Sequence, residues 1–242
     1  MGLSFANKPA SLLFLEPHRI VAGGRVRPLE GLPAPERLAQ ALAELPQGPT
    51  AWVVDDLWAP ALLLRDLADL PPGAEARDAF FRWRYAQALG LEDPQSVQTI
   101  ALGEGAWLAA GLPESLRDAW LTAGARASRP VERIVPRWLW VYNRLAPEQE
   151  RPGLLLSLCP HPEGGFTGTL AAWGRTLALL RQWAEPATPE QWMAERVAPS
   201  AAFLQRESRS PQELRIWGAS SWVKSALEVH LLPSDIPTQE GV

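Results

Sequence analysis

Residues 11–55 read SLLFLEPHRIVAGGRVRPLEGLPAPERLAQALAELPQGPTAWVVD, with short apolar runs separated by turn residues. The Gly23-Gly24 pair is a strong hairpin signal between two of these runs. Apolar residues at helical spacing follow, and a continuous apolar run, typical of a strand buried on both faces, ends the segment. The pattern therefore predicts strand, strand, strand, helix and strand at 11–15, 19–22, 25–29, 35–45 and 50–55.

The same order of elements is predicted again from residue 153 onward. Thr188 and Pro189 fit the N-cap and the first position of the helix in this second series. The second series is predicted as strands at 153–158, 166–173 and 176–183, a helix at 188–206, a strand at 214–217 and a last helix at Ser221–Leu231.

The first series carries additional elements before the second one begins. Strands are predicted at 61–67, 96–102, 106–110 and 131–135, and helices at 75–89, 113–123 and 136–145. The polar residues 146–152 form the candidate boundary. We therefore expect a first half at 1–146 with a subdomain inserted at about 61–126, a second half at 147–232, and a tail at 233–242.

Composition narrows the classes of protein that fit. The 242 residues carry a formal net charge of −4, which argues against a nucleic-acid binder with a basic face. A single cysteine, Cys159, excludes a disulfide within the chain and favours a reducing compartment. No signal peptide or apolar run of membrane-spanning length is visible. Exposed members among the 12 tryptophans are candidate partner contacts.

A set of motifs in a fixed order gives the chain a family resemblance. A leucine–proline turn leads into a helix with a tryptophan, and a helix ending in Ala-Gly precedes a strand, a proline and a helix ending near an asparagine. The residues are Leu70-Pro71, Trp83, Ala123-Gly124, Ile134, Pro136 and Asn143. This order resembles the PilM family of actin-like pilus-assembly proteins and the cytoplasmic domain of the GspL family of type II secretion. The resemblance implies an α/β, duplicated ribonuclease-H-like (actin-like ATPase) fold, with mixed sheets flanked by helices and a small α/β subdomain inserted in the first half.

The loops that would bind nucleotide in an active member of such a family depart from the expected pattern. In place of a first acidic-glycine loop stands Glu16-Pro17-His18-Arg19, where Pro17 has no N–H to offer a phosphate. The second loop, Ser157 to His161, lacks the metal-organising carboxylate, and the third, from Gly218 to Ser221, keeps one glycine. We therefore expect degenerate nucleotide loops at Glu16, His18, Ser157, His161 and Gly218, with no catalytic residue, cofactor or metal.

The resemblance implies a non-catalytic scaffold, a pseudo-ATPase, of a type IV pilus or type II secretion inner-membrane platform. Its expected partners are a membrane-platform protein, bound through a cytoplasmic peptide held in a groove, and other pilus or secretion components. Nucleic acid and a direct membrane span are not expected. The implied location is cytoplasmic, peripheral to the inner membrane through partners.

Two alternatives stay open on the residues alone. A metal-dependent phosphotransferase or nuclease of the ribonuclease-H-like class would use Glu16, Asp55 and Asp56, provided that the three carboxylates converge on one ion. The other interpretation of Asp55-Asp56 is a capping and turn pair. An α/β domain with a partner outside secretion is the remaining possibility.

Two further groups have a structural and a functional interpretation. Cys159 and His161 flank Pro160, but a nucleophile–base pair or metal site needs more ligands than three histidines readily supply. Arg126, Arg129, Arg133 and Arg137 form a basic cluster. We interpret this cluster as a solvated face, with contact to an acidic partner or to lipid headgroups as the alternative.

Overall fold

The computed structural model describes residues 11–29, 31, 33–67, 69–145, 151–174, 176–219, 221–223 and 225–232. The chain divides into two compact units, and the division falls between Pro136 and Arg137. Residues 146–150 of the expected boundary and the expected tail at 233–242 lie outside the described residues. No helix among the described residues is long and apolar enough to cross a membrane.

The first unit contains a large sheet, a small sheet and three helices among the described residues. In chain order its elements are β1 (Ser11–Glu16), β2 (Arg19–Ala22), β3 (Arg25–Pro28), α1 (Pro35–Ala43), β4 (Thr50–Val54), β5 (Ala61–Leu64), α2 (Ala74–Leu89), β6 (Gln95–Gly103), β7 (Ala106–Pro113), α3 (Glu114–Arg126) and β8 (Val131–Pro136). The large sheet has the strand order β3-β2-β1-β4-β8. Strands β1, β4 and β8 are parallel, and β2 is antiparallel to both of its neighbours.

One face of the large sheet packs into a core with α1 and α3. Successive side chains of a strand point to opposite faces, so Leu13 and Leu15 lie in this core while Phe14 is buried on the other face. Trp52 of β4 lies with its ring centroid 5.8 Å from that of Trp120 of α3. The continuous apolar run at 50–54 therefore corresponds to a strand, β4, that is buried on both faces, as predicted.

The small sheet has the order β5-β7-β6 and packs one face against α2. Tyr85 of α2 directs its hydroxyl to the carbonyl oxygens of Pro60, at 2.8 Å, and Gly111, at 3.0 Å. Burial raises the pKa of Tyr85, so the phenol stays neutral and remains a donor. These contacts join α2 to the strands beneath it.

The second unit contains one five-stranded sheet among the described residues. Its elements are α4 (Arg137–Leu145), β9 (Gly153–Pro160), β10 (Phe166–Trp173), β11 (Leu177–Ala187), α5 (Pro189–Gln191), a π-helical segment (Trp192–Val197), α6 (Ala198–Arg206), β12 (Glu213–Trp217) and β13 (Glu228–Leu231). The strand order is β11-β10-β9-β12-β13, with β9, β12 and β13 parallel and β10 antiparallel to its neighbours. This is the order and sense of the large sheet in the first unit.

Two of the predicted helices differ in the structure. The prediction of a last helix at Ser221–Leu231 is wrong, because Glu228–Leu231 is strand β13, paired with β12. The helix predicted at 188–206 begins with the expected cap, in which Thr188 Oγ1 accepts from Gln191 N. It then widens into the π-helical segment before Pro199, which has no N–H to donate to the carbonyl four residues earlier.

Candidate functional site

The first expected nucleotide loop is a two-residue turn between β1 and β2. Glu16 pairs with Arg19 in the strand register, so only Pro17 and His18 form the turn. The Glu16 carboxylate is buried and forms an ion pair with Arg19, while the carbonyl of His18 accepts from Leu29 N at 2.8 Å. A buried carboxylate and a proline offer little to a phosphate, which requires N–H donors and positive charge.

The second expected loop connects β9 and β10 and uses its own amides internally. His161 N donates to the carbonyl of Gly165 and Gly164 N to the carbonyl of His161, both at 3.0 Å. Glu163 N donates to His161 Nδ1 at 3.3 Å. Ser157 is completely buried on β9. The amides of His161, Glu163 and Gly164, which could otherwise surround a phosphate, are therefore already engaged within the turn.

Gly218, the glycine kept in the third expected loop, has a structural role after β12. Its φ is +94°, and a Cβ added there would lie 2.1 Å from the carbonyl oxygen of Leu158. Both the backbone conformation and the contact with β9 require glycine. Packing within the unit therefore explains this residue without a ligand.

The carboxylates of the alternative hypothesis do not assemble a metal site. Among the described residues, Glu16, Asp55 and Asp56 included, no group of three histidine, cysteine, aspartate or glutamate side chains could hold a metal ion. Asp55 Oδ1 accepts from Leu57 N at 3.0 Å, and its carbonyl accepts from Trp58 N at 3.1 Å. Asp55 is thus a turn residue, as its other interpretation predicted.

The four arginines do not form a common solvated face, so that interpretation is wrong. Arg129 donates through Nη2 to the carbonyl of Leu45 at 2.7 Å, next to the C-terminal end of α1. Arg137 is 1% exposed and stacks on Trp217, with its guanidinium carbon 5.8 Å from the ring centroid. Only Arg126 is classed as exposed. Arg129 and Arg137 therefore each contact residues of their own unit.

Cys159 lies on β9 and is 2% exposed. His161 follows in the turn and is partly exposed. A nucleophilic thiol must be reachable by its substrate, and this burial is typical of a cysteine that packs as a small apolar side chain.

A groove along the edge of the small sheet is a candidate binding site among the residues that the structure describes. It has a volume of about 350 Å³ and is lined by α2, by β6 and by the first turn of α3. Strand β6 is at the sheet edge, and its outer side is not paired with any strand among the described residues. The lining residues are Asp78, Arg82, Ser96, Val97, Gln98, Thr99, Glu114 and Arg117.

The two helices approach this edge from opposite faces of the small sheet. Val97 packs in the cluster that contains Phe81 and Tyr85 of α2. Ser96, the neighbouring residue and therefore on the other face, accepts from Arg117 Nη1 of α3 at 3.0 Å. The floor of the groove is thus the free edge of a strand, and its walls are two helices.

The charges in the groove are only partly neutralised. Arg117 forms an ion pair with Asp118 at 2.7 Å. The side chains of Asp78, Arg82 and Glu114 make no ion pair or hydrogen bond with any residue that the structure describes. An unpaired strand edge with unpaired charges beside it matches the way in which extended peptides are recognised. Sequence reasoning missed this groove, because its residues come from three separate elements.

Trp83 is the exposed tryptophan on α2, with 55% of its surface accessible. The other tryptophans are buried or partly buried. Arg84 stacks on its ring, with the guanidinium carbon 5.8 Å from the centroid. Helix α2 therefore presents both a groove wall and an exposed aromatic side chain.

Sequence comparisons give no relative, whereas structure comparisons do. No protein-family model matches the sequence. No curated protein matches it either. The cytoplasmic domain of EpsL, an inner membrane component of the type II secretion system of Vibrio cholerae, is similar with a TM-score of 0.50 and 14% identity, over 92% of this chain and 85% of that chain.

A second solved structure is similar over most of the chain. The PilM–PilN type IV pilus biogenesis complex matches with a TM-score of 0.58 and 16% identity, over 87% of this chain and 81% of the matched chain. At these identities the likeness concerns the fold. The fold resemblance expected from the sequence is confirmed: the chain is a mixed α/β protein similar to the EpsL cytoplasmic domain and to a chain of the PilM–PilN complex.

Proposed function

We propose that the chain is a non-catalytic scaffold of a type II secretion or type IV pilus inner-membrane platform, which binds the cytoplasmic segment of a membrane partner. The single observation that carries this proposal is the similarity in fold to the EpsL cytoplasmic domain and the PilM–PilN complex. EpsL is an inner membrane component and the second structure is a complex. The proposed location is cytoplasmic, at the inner membrane through partners.

The architecture behind this proposal is a duplicated ribonuclease-H-like fold. It is supported by the identical strand order and sense in the two five-stranded sheets. We propose halves at about 1–146 and 147–232, with the small sheet and its helices at about 61–126 as an insertion. Helix α4 would then be the last element of the first half, although it packs against β9 and β10 of the second unit. The engaged amides of the β9–β10 turn and the Glu16–Arg19 ion pair support the absence of catalysis.

The groove along β6 is the proposed place for the partner segment. It offers an unpaired strand edge, and main-chain hydrogen bonds to such an edge supply affinity for an extended peptide. Its walls carry both signs of charge, which suits a polar segment rather than a purely apolar one.

Photo-crosslinking in membranes of the source organism tests the proposal. A photoreactive amino acid replaces Gln98 in the groove of the full-length chain, and the same amino acid at Glu207 of the second unit is the matched control. We expect the Gln98 position alone to crosslink to an inner-membrane protein of a secretion or pilus platform. The isolated cytoplasmic segment of that protein should then bind in a calorimetric titration. Crosslinks only to soluble enzymes, or a segment that does not bind, would contradict the scaffold role.

A further inference from the structure

We propose that the segment bound in the β6 groove is an added strand that carries an acidic and a basic side chain two residues apart. The inference rests on the proposed function, and it specifies the chemistry of the partner segment. The acidic side chain faces Arg82 and the basic one faces Asp78, both on the α2 wall.

The strand geometry comes from the free edge of β6. In an antiparallel pair such as β6–β7, every second residue directs its N–H and C=O to the partner strand, and the residues between direct theirs outward. The outward groups of β6 therefore point into the groove. An extended segment that lies there can take up these groups as a further strand of the small sheet.

The spacing of the charges follows from the geometry of the α2 wall. Asp78 and Arg82 are four residues apart in α2, which separates them by about 6 Å along the helix. Two residues of an extended strand cover about 6.6 Å, and residues two apart point to the same face. An acid and a base two positions apart in the segment therefore match the spacing of Arg82 and Asp78, in the one order that the chain direction of the segment sets.

The intervening residue faces the other wall, which α3 provides. Glu114 is the unpaired charge there, since Arg117 is already bound to Asp118 and Ser96. We therefore expect the intervening position to be basic or polar, and an acidic residue there to weaken binding. A segment that covers the charges of Asp78, Arg82 and Glu114 without pairing them removes these charges from water without compensation. Segments that lack the acid and the base are therefore disfavoured.

The occupant is a segment with both charges rather than an anionic or cationic surface. A lipid surface or a nucleic acid presents one sign of charge. A negative surface would face the like charges of Asp78 and Glu114, and a positive surface would face the like charge of Arg82. The opposite charges on one helix wall thus favour an alternating polypeptide.

Selection from a phage-displayed library of random octapeptides tests the inference with the full chain. We expect enriched peptides to carry an acid and a base two positions apart. A synthetic peptide from this set should bind the R82E and D78K variants at least tenfold more weakly than the unchanged chain. The R84E and E75K variants on the same helix are matched controls outside the groove lining, and should keep the affinity within twofold. The exchanged variant D78R/R82E should select peptides with the two charges in reverse order.

Methylation of single backbone nitrogens in the synthetic peptide tests the added strand. We expect methylation to weaken binding at every second position only, because only alternate residues hydrogen-bond to β6. Equal effects at all positions would overturn the strand geometry.

The outcomes separate the inference from the proposed function. Peptides that bind the unchanged chain but keep their affinity for R82E and D78K would overturn the charge pattern and leave segment binding intact. The same holds if the crosslinked partner segment binds but lacks an acid and a base two residues apart. If no octapeptide is enriched and no membrane partner crosslinks, both proposals fail.

Discussion

Gly218 occupies a backbone position that only glycine fits. With φ at +94° and the Leu158 carbonyl oxygen 2.1 Å from an added Cβ, Gly218→Ala combines backbone strain with a clash against β9. We expect a loss of more than about 2 kcal/mol in the free energy of unfolding. Urea unfolding followed by tryptophan fluorescence measures this loss.

Gly174, in the turn after β10, provides the matched control. No atom lies within 4 Å of a Cβ added at Gly174. Gly174→Ala should therefore change the free energy of unfolding by less than about 0.5 kcal/mol. Equal stabilities of the two variants would show that Gly218 is not held by packing, and would reopen the question of a ligand at that loop.

Glu44 makes the stability of the first unit depend on pH. It follows the last turn of α1 and accepts a hydrogen bond from Arg27, which lowers the pKa of Glu44, and the charges of Arg27 and Arg25 act in the same direction. Because the pKa is lower in the folded state, the stabilisation is complete above the pKa of the unfolded chain, about 4.3. It is lost as the pH falls through the lower, folded value.

We therefore expect Glu44→Gln to be less stable than the unchanged chain at neutral pH. The difference in unfolding free energy should stay constant down to about pH 5 and shrink below it. Urea titrations between pH 7 and pH 2.5 measure it. Glu92→Gln is the control, because Glu92 makes no ion pair with any residue in the described part of the chain. A difference that grows on acidification would show that the sign is wrong.

At the scale of elements, the π-helical segment and β11 are joined by one arginine. Arg196 lies with its guanidinium carbon 4.3 Å from the centroid of Trp192 and 5.4 Å from that of Trp183. Its Nη2 donates to the carbonyl of Glu185 at 3.0 Å, where β11 bulges away from β10. Burial lowers the pKa of Arg196, yet the planar group stays charged and stacked.

Arg196→Lys keeps the charge and removes the planar group that contacts both rings. We expect a loss of about 1–2 kcal/mol in the free energy of unfolding. The near-ultraviolet circular dichroism of the tryptophans should also change. Arg206→Lys, at the exposed end of α6, is the control and should have neither effect. An unchanged dichroism spectrum in Arg196→Lys would contradict the stacking role.

The sequence predicted most elements, because their signals are local, and it failed where a neighbouring strand decides the outcome. In the last segment, Val229 and Leu231 alternate with Glu228 and His230, which is the period of a strand, but this alternation covers only four residues and is too short to decide against a helix. Pairing with β12 then selects the strand, and His230 lies 3.5 Å from Glu213 of β12. Spacing within one segment contains no information about that partner.

The same distinction holds for the candidate sites. The sequence predicts two of the turns, at Glu16–Arg19 and after Ser157, because the conformational preferences of proline and glycine act within a few residues. The groove combines Asp78, Ser96 and Glu114, whose proximity depends on the packing of α2 and α3 about β6. Arg137 was misread for the same reason, since its burial against Trp217 is a tertiary contact.

At the scale of the whole molecule, the fold is similar to that of secretion and pilus proteins, and the turns expected to bind nucleotide are closed by their own contacts. We therefore expect millimolar Mg-ATP to leave the unfolding temperature of the full chain within about 1 °C of its value in magnesium chloride alone. A ligand at 100 times its dissociation constant stabilises by about 2.7 kcal/mol. For a chain of this size that corresponds to about 5–10 °C, from about 2–4 °C per kcal/mol. A shift of that size in differential scanning fluorimetry would contradict the expectation that these turns do not bind nucleotide, because the amides of the β9–β10 turn would then have to exchange their internal hydrogen bonds for phosphate.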